Sequence, residues 1–229
     1  MSYGLTVSND NNYIQIDSET PRLCAIYHGN YSAGSNTAII DFPAAITTSE
    51  PPCIFLRNDP ARNDELYDML TIVGSAGNWT GFNVRGNNIN WRPAGKWFAA
   101  VFASKAQSSY GMRLFGASGE IVYDSGSTPV VVTKSNSSWV YGGVSQFPTL
   151  GAGFSYFNGL TAPIETDEYF LMNPFSRGAV NNNGNYHWRG VRYNYSTQRL
   201  EMYIVATRQN PPQLDQGMPA ALYARLPGT

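Results

Sequence analysis

The amino-acid sequence predicts an all-β protein. Charged residues make up 14% of the chain, against about a quarter in an average globular domain, and aromatic residues make up another 14%. Apolar and polar residues alternate over short stretches, which is typical of strands, and segments that favour a helix are scarce. With 42% hydrophobic residues, the 229-residue chain is long enough to bury one or two ordinary cores.

One hairpin pattern occurs twice in the chain. It consists of Tyr-Gly-apolar-x-apolar, a polar or Gly-rich break, and a closing apolar segment that ends in Asp-Ser, at residues 3–18 and again at residues 110–125. Apolar residues occupy alternate positions on both sides of each break, which is the pattern of a strand, a tight turn and a returning strand. Each copy therefore predicts a β-hairpin.

Further similarities follow the two hairpins in the same order. Residues 54–58 resemble residues 169–173, and residues 96–104 resemble residues 199–207. A fixed long period is the sign of a duplicated structural unit. We therefore predict two tandem, similar antiparallel β-sandwich modules, at residues 1–106 and 107–229. One large β-sandwich with internal pseudo-symmetry is the alternative, since a sandwich of this length can be a single domain.

The first half of the chain contains a series of short apolar segments separated by loop-forming residues. Gly, Asn and Ser between residues 29 and 36 predict a loop, and Pro43, Pro51 and Pro52 exclude a helix around them. The segments themselves predict strands at residues 22–28, 37–42, 53–57, 70–73, 79–84, 89–92 and 97–102.

The second half repeats this plan with longer interruptions. Gly and aromatic residues predict a flexible loop at residues 151–163, and the Asn183-Gly184 pair predicts a tight turn before an aromatic strand region. Aromatic residues in a flexible loop are candidates for exposed binding positions, although packing at the end of the sandwich is the alternative. The candidate partner-binding residues are Phe154, Tyr156, Phe157, Tyr186 and Trp188.

The charge of the chain bears on its partners. The formal net charge is −1, which argues against nucleic acid or an anionic membrane as a partner, because either would require a basic face. Arg outnumbers Lys twelve to three. This excess suits assembly with other proteins, because a guanidinium makes two parallel hydrogen bonds at an interface. Codon bias is the alternative explanation of the excess. No apolar run approaches the ~18 residues of a membrane span. The sequence thus predicts no membrane insertion and synthesis in the cytoplasm.

Cysteine and histidine show no arrangement that predicts a metal site. No motif pairs Cys24 with Cys53, so buried thiols are the favoured interpretation, with a disulfide as the alternative in an oxidising compartment. On a strand, His28 and Cys24 would lie about 13 Å apart, too far to share a metal ion. His187 has no acidic neighbour. We expect no metal and no other cofactor.

The common catalytic motifs are missing from the sequence. There is no Gly-x-Ser-x-Gly nucleophile elbow and no Gly-x-x-x-x-Gly-Lys phosphate loop. Paired carboxylates have no fixed spacing, and the densest acidic cluster is Glu165, Asp167 and Glu168. A solvated turn explains that cluster more simply. We therefore predict that the protein is not an enzyme.

The repeated hairpins resemble those of a group of proteins encoded beside tail-tip genes in long-tailed bacteriophages and prophages. The apolar strand at residues 54–57, which ends in Arg, also looks like that group, whereas Asn11-Asn12 replaces its usual Gly at the first turn. The residues that carry the resemblance are Tyr3, Gly4, Leu5, Val7, Asp17 and Ser18 in the first copy and Tyr110, Gly111, Met112, Leu114, Asp124 and Ser125 in the second.

This resemblance implies a virion protein of the tail tip or baseplate, built from β-sandwich modules and without enzymatic activity. Its partners would be other tail proteins and copies of itself, as a trimer or a multiple of three. A carbohydrate-binding module for cell-surface glycan is the alternative function, with aromatic platforms such as Trp79, Trp91, Tyr156 and Trp188. An enzyme acting on such glycan is a third hypothesis, which no motif supports.

Overall fold

The structure of the protein, a computed structural model, is built almost entirely from β-strands. It describes residues 6–8, 14–17, 21–103, 109, 111–116, 118–119, 121–147, 151–160, 162–176, 179–180, 186–187, 189–205 and 219–228. Within these residues the chain forms strands and two 3₁₀ turns, Pro60–Arg62 and Asn173–Phe175, and no α-helix. The predicted all-β class is confirmed.

The strands are short and follow one another closely along the chain. They are Thr6–Ser8 (β1), Ile14–Asp17 (β2), Leu23–Ser32 (β3), Thr37–Ile46 (β4), Cys53–Asn58 (β5), Tyr67–Ser75 (β6), Asn78–Gly86 (β7), Ala94–Phe102 (β8), Arg113–Phe115 (β9), Ile121–Asp124 (β10), Thr128–Pro129 (β11), Val131–Asn136 (β12), Trp139–Phe147 (β13), Gly151–Asn158 (β14), Tyr169–Leu171 (β15), Ala179–Val180 (β16), Tyr186–His187 (β17), Arg189–Asn194 (β18), Arg199–Val205 (β19) and Ala221–Arg225 (β20).

Two seven-stranded antiparallel sheets form the sandwich. Sheet I has the strand order β11-β3-β8-β5-β15-β20-β12, and sheet II has the order β13-β14-β19-β18-β6-β7-β4. Alternate residues of both sheets meet in one apolar core. In that core the Trp97 ring of sheet I lies 6.0 Å from the Phe42 ring and 5.1 Å from the Phe82 ring of sheet II, measured between centroids.

The strand order of both sheets indicates an approximate two-fold symmetry between the halves of the chain, with a pseudo-two-fold axis between β5 and β15 and between β6 and β18. In sheet I, β3-β8-β5 from the first half meets β15-β20-β12 from the second, and sheet II repeats the arrangement where β6 meets β18. At the centre of sheet I, Phe170 pairs with Leu56 and Leu171 with Phe55. Residues 55–56 thus oppose residues 170–171 symmetrically, which agrees with the similarity between these segments in the sequence.

Both sheets run continuously through the two halves, so the observed arrangement is the alternative of one large sandwich with internal pseudo-symmetry. The two sheets are also joined at the axis, because the buried Asn58 side chain of β5 bonds the backbone of Tyr193 in β18 at both its N–H and its carbonyl group. The boundary between a first module at residues 1–106 and a second at residues 107–229 stays a prediction.

The sequence similarities differ in how well they match the strand order. Both predicted hairpins form, as β1 with β2 and β9 with β10. The similarity between residues 96–104 and 199–207 was misleading, because β8 lies between β3 and β5 in sheet I, whereas β19 lies between β14 and β18 in sheet II. By position in the sheets, β8 corresponds to β20 and β19 corresponds to β7.

Two segments that the sequence predicted as loops are strands. Residues 29–32 continue β3, where Gly29 leaves space for the Trp97 indole. Residues 151–158 form β14, in which a Cβ at Gly153 would lie 2.4 Å from the Tyr203 ring. In both cases glycine serves close packing of a large aromatic ring rather than a turn, and this role cannot be read from the local sequence.

The pairing at the pseudo-two-fold axis predicts one cooperative unfolding transition. Phe170 is 2% exposed, and removing its ring should leave a cavity and lower the free energy of unfolding by about 3–5 kcal/mol. Phe170→Ala should therefore shift a single transition in chemical denaturation, followed by tryptophan fluorescence and by circular dichroism. The control is Phe102→Ala, since Phe102 is 66% exposed. Two separate unfolding transitions, of which Phe170→Ala shifted only one, would contradict a single sandwich formed by both halves of the chain.

Candidate functional site

Three of the predicted binding residues belong to the hairpin of β13 and β14. Phe154 and Tyr156 are buried and pack with Met202 and Ile204 of β19, while Phe157 is half-buried on the other face of the sheet. Of the two roles that the sequence allowed, exposed binding or internal packing, Phe154 and Tyr156 therefore have the packing role. For Tyr186 the structure describes only the backbone, in β17, and Trp188 lies outside the described residues.

The other proposed aromatic platforms are partly buried. Trp79 donates its indole N–H to the Thr48 carbonyl at 2.9 Å and packs against the main core. Trp91 packs against Leu66 and Tyr203. Neither ring lies free on the surface, so the predicted use of Trp79 and Trp91 as sugar platforms gains no support from their positions.

The exposed apolar surface of the hairpin lies on β13. Val140, Tyr141 and Val144 are 54%, 46% and 63% exposed, and the Tyr141 ring lies 5.4 Å from the ring of Tyr156. Within the described residues, β14 is the one strand that pairs with β13, so β13 forms an edge of sheet II. We call this strand with its three exposed apolar side chains the β13 edge.

A buried polar network lies on the outer face of sheet II. Arg192 of β18 and Glu201 of β19 are directly opposite each other, with 2.7 Å between Nη2 and Oε2. Asn194 donates to Oε2 at 3.0 Å, and Ser155 donates to Oε1 at 3.0 Å. Since these donors occupy both oxygens of Glu201, the network is a structural ion pair and presents no free catalytic carboxylate. Sequence reasoning missed it, because its members lie on three strands.

The acidic cluster of the sequence is not a solvated turn throughout. Glu168 is buried and accepts hydrogen bonds from Lys134 Nζ at 2.7 Å and from the Glu165 N–H at 2.8 Å. Burial alone would raise the pKa of Glu168, but these bonds hold the pKa below its ordinary value. A general acid at neutral pH needs a raised pKa instead. Asp167 forms an exposed ion pair with Arg225.

The cysteines and histidines form no metal site in the part of the chain that the structure describes, where no group of three potential ligands occurs. Cys24 on β3 and Cys53 on β5 are separated by β8, and no disulfide joins them. Burial raises the pKa of the Cys53 thiol.

Among the described residues, no helix is long and apolar enough to cross a membrane.

A pocket of about 490 Å³ opens at one end of sheet I. The ends of β3, β5 and β8 line it, together with the residues that follow β5, Thr166 and Tyr195. Asn30, Lys96 and Arg57 lie side by side on three neighbouring strands, because Asn30 pairs with Lys96 across β3 and β8 and Lys96 pairs with Arg57 across β8 and β5. We call this site the Arg57 pocket.

The walls of the Arg57 pocket are held by specific contacts. The Arg57 guanidinium donates to the Thr166 carbonyl and lies 4.7 Å from the centre of the Tyr169 ring. The Tyr195 hydroxyl donates to the Asn58 carbonyl. Burial, with smaller contributions from Tyr193 and Asp59, outweighs the opposing charge of Arg57 and raises the pKa of Tyr195 to about 12. Tyr195 is thus a neutral donor at physiological pH.

Comparisons with protein-family models, with curated proteins and with solved structures found no match to this chain.

The buried network predicts a large stability effect from one carboxylate. Glu201→Ala would remove the buried ion-pair partner of Arg192 and leave the exposed Asp64 carboxylate at 3.4 Å, so the free energy of unfolding should fall by about 3–5 kcal/mol. Asp167→Ala breaks the exposed pair with Arg225 and should cost about 0.2–1 kcal/mol. Chemical denaturation of both variants measures the difference. A loss of less than about 1 kcal/mol in Glu201→Ala would contradict a stabilising role of the network on sheet II.

Proposed function

We propose that the protein is a non-enzymatic structural or attachment component of a bacteriophage tail, in the tail tip, baseplate or fibre. The resemblance of the repeated hairpins to proteins encoded beside tail-tip genes supports this proposal. The all-β sandwich architecture agrees with the fold that this resemblance implies. Its location would be the virion, after synthesis in the host cytoplasm.

The β13 edge is the observation that carries the proposal. An exposed sheet edge is a template for pairing with another chain, and monomeric proteins protect their edges with charged residues, proline or bulges. β4, the opposite edge of sheet II, carries Asp41 and Pro43, and β12 at one edge of sheet I carries Lys134. The nine residues of β13 include no charge and no proline, and the register of β13 contains one bulge, between Tyr141 and Gly143. Residues 143–147 beyond this bulge pair regularly with β14, so this part of the edge suits contact with another protein chain.

The occupant that we propose for the β13 edge is a neighbouring subunit in the tail, first of all a second copy of this chain. Burying the backbone edge together with Val140, Tyr141 and Val144 would combine ladder hydrogen bonds with apolar contacts. Copies of the chain would form a trimer or a multiple of three to match the tail. The excess of Arg over Lys suits such interfaces.

Light scattering of the purified protein tests this assembly. We expect a trimer or a hexamer, and Val144→Lys should weaken association at least tenfold, because it places a charge on the pairing edge. The same substitution at Ile89, which is 77% exposed in a turn outside the β13 edge, should leave the mass unchanged. A monomeric wild-type protein that also fails to bind purified tails would overturn the proposal.

Glycan binding is the second candidate function, and the Arg57 pocket favours it. This pocket combines amide, hydroxyl, carboxylate and cationic groups with the aromatic ring of Tyr195. Such a mixture resembles the walls of sites for small polar ligands, in which a few polar groups fix the orientation. An attachment protein of a phage would use a site of this kind to recognise the host surface, so the two candidate functions are compatible.

A further inference from the structure

We infer that the Arg57 pocket binds an anionic sugar, a polyhydroxylated ring that carries a carboxylate or a phosphate group. This inference rests on the second candidate function, glycan binding, and specifies the ligand class and the residues that would recognise it. It uses other residues than the proposed assembly at the β13 edge, since β13 belongs to sheet II and the pocket is formed mainly by strands of sheet I.

The central feature is a pair of like charges. Arg57 and Lys96 are directly opposite each other on neighbouring strands, and like charges in that position destabilise a sheet. Among the described residues, no carboxylate forms an ion pair with either side chain. An anion bound in the pocket would be attracted by both positive charges.

Arg57 is already positioned for an anion. The Thr166 carbonyl accepts one bond from its guanidinium, and the Tyr169 ring supports the side chain from one face. These contacts reduce the conformational freedom that binding would otherwise remove. The remaining donors of a guanidinium match two oxygens of a carboxylate or phosphate, whereas Lys96 adds an exposed point charge from the next strand.

The rest of the wall favours a sugar over a bare anion. Asp59 lines the pocket, and one of its carboxylate oxygens accepts the Ala61 N–H at 2.8 Å. A carboxylate repels a simple anion but accepts hydrogen bonds from ring hydroxyl groups. Asn30 and Ser32, which are both exposed and follow the same face of β3, supply further donors and acceptors.

The remaining wall and the size of the pocket agree with this ligand. Tyr195 lines the pocket, and an aromatic side chain suits contact with the carbon skeleton of a sugar. The volume of about 490 Å³ lies within the range of about 300–1,000 Å³ that is usual for small-molecule sites. Together these features describe a site for one or two sugar units with an acidic group next to Arg57.

Calorimetric titration of the full chain tests the inference with four probes: glucuronic acid, glucose 6-phosphate, neutral glucose and inorganic phosphate. We expect one or both acidic sugars to bind at least tenfold more tightly than glucose and phosphate. Lys96→Gln should weaken that binding about tenfold, since Lys96 is exposed and its replacement leaves the fold intact. Arg57→Lys should weaken that binding as well, because the positive charge remains but the paired hydrogen-bond donors of the guanidinium are lost.

The control variant is Arg62→Gln, which removes one positive charge from an exposed side chain outside the pocket and should leave binding unchanged. Equal binding of glucose and glucuronic acid, lost in Asn30→Ala, would overturn the anionic preference while glycan binding stands. Equal binding of inorganic phosphate and glucose 6-phosphate would overturn it in favour of a simple anion site. Binding of none of the four probes would contradict both the inference and the second candidate function.

Discussion

The fold depends on the strand pairings at the pseudo-two-fold axis. β5 meets β15 in sheet I, and β6 meets β18 in sheet II, and these two pairings make both sheets continuous. Without them, each half of the chain would expose a new sheet edge and lose the other half's contribution to the core. The Asn58 side chain connects the two pairings, because it lies at the end of β5 and bonds the backbone of β18.

Two of the charged groups buried in the sandwich are carboxylates that pair with cations. Arg192 and Glu201 lie opposite each other, and Lys134 contacts Glu168, so these buried carboxylates have a cationic partner. Low overall charge therefore does not mean a purely apolar fold. These ion pairs join neighbouring strands and hold a loop against a strand. A buried ion pair is costly to break, because removing one partner leaves the other charge buried and unpaired.

The two proposed surfaces differ in what they offer. The β13 edge presents an uncharged strand with three exposed apolar side chains, which suits another chain. The Arg57 pocket presents two cations beside amide and hydroxyl groups, which suits a small polar ligand. The two surfaces share no residue, since one lies on sheet II and the other is built mainly on sheet I. The structure is thus compatible with assembly and ligand recognition in the same molecule.

The sequence by itself determined the all-β class, both hairpins and most strand positions, because alternation of apolar residues is a local property of the chain. The tertiary structure decided which strands are neighbours, and hence that the halves share one sandwich, since pairings such as Phe170 with Leu56 join residues far apart in the sequence. It also decided that Gly153 lies beneath an aromatic ring in a strand, where the local pattern predicted a loop. The Arg57 pocket was invisible to sequence reasoning for the same reason, because Asn30, Lys96 and Arg57 become neighbours only through strand pairing.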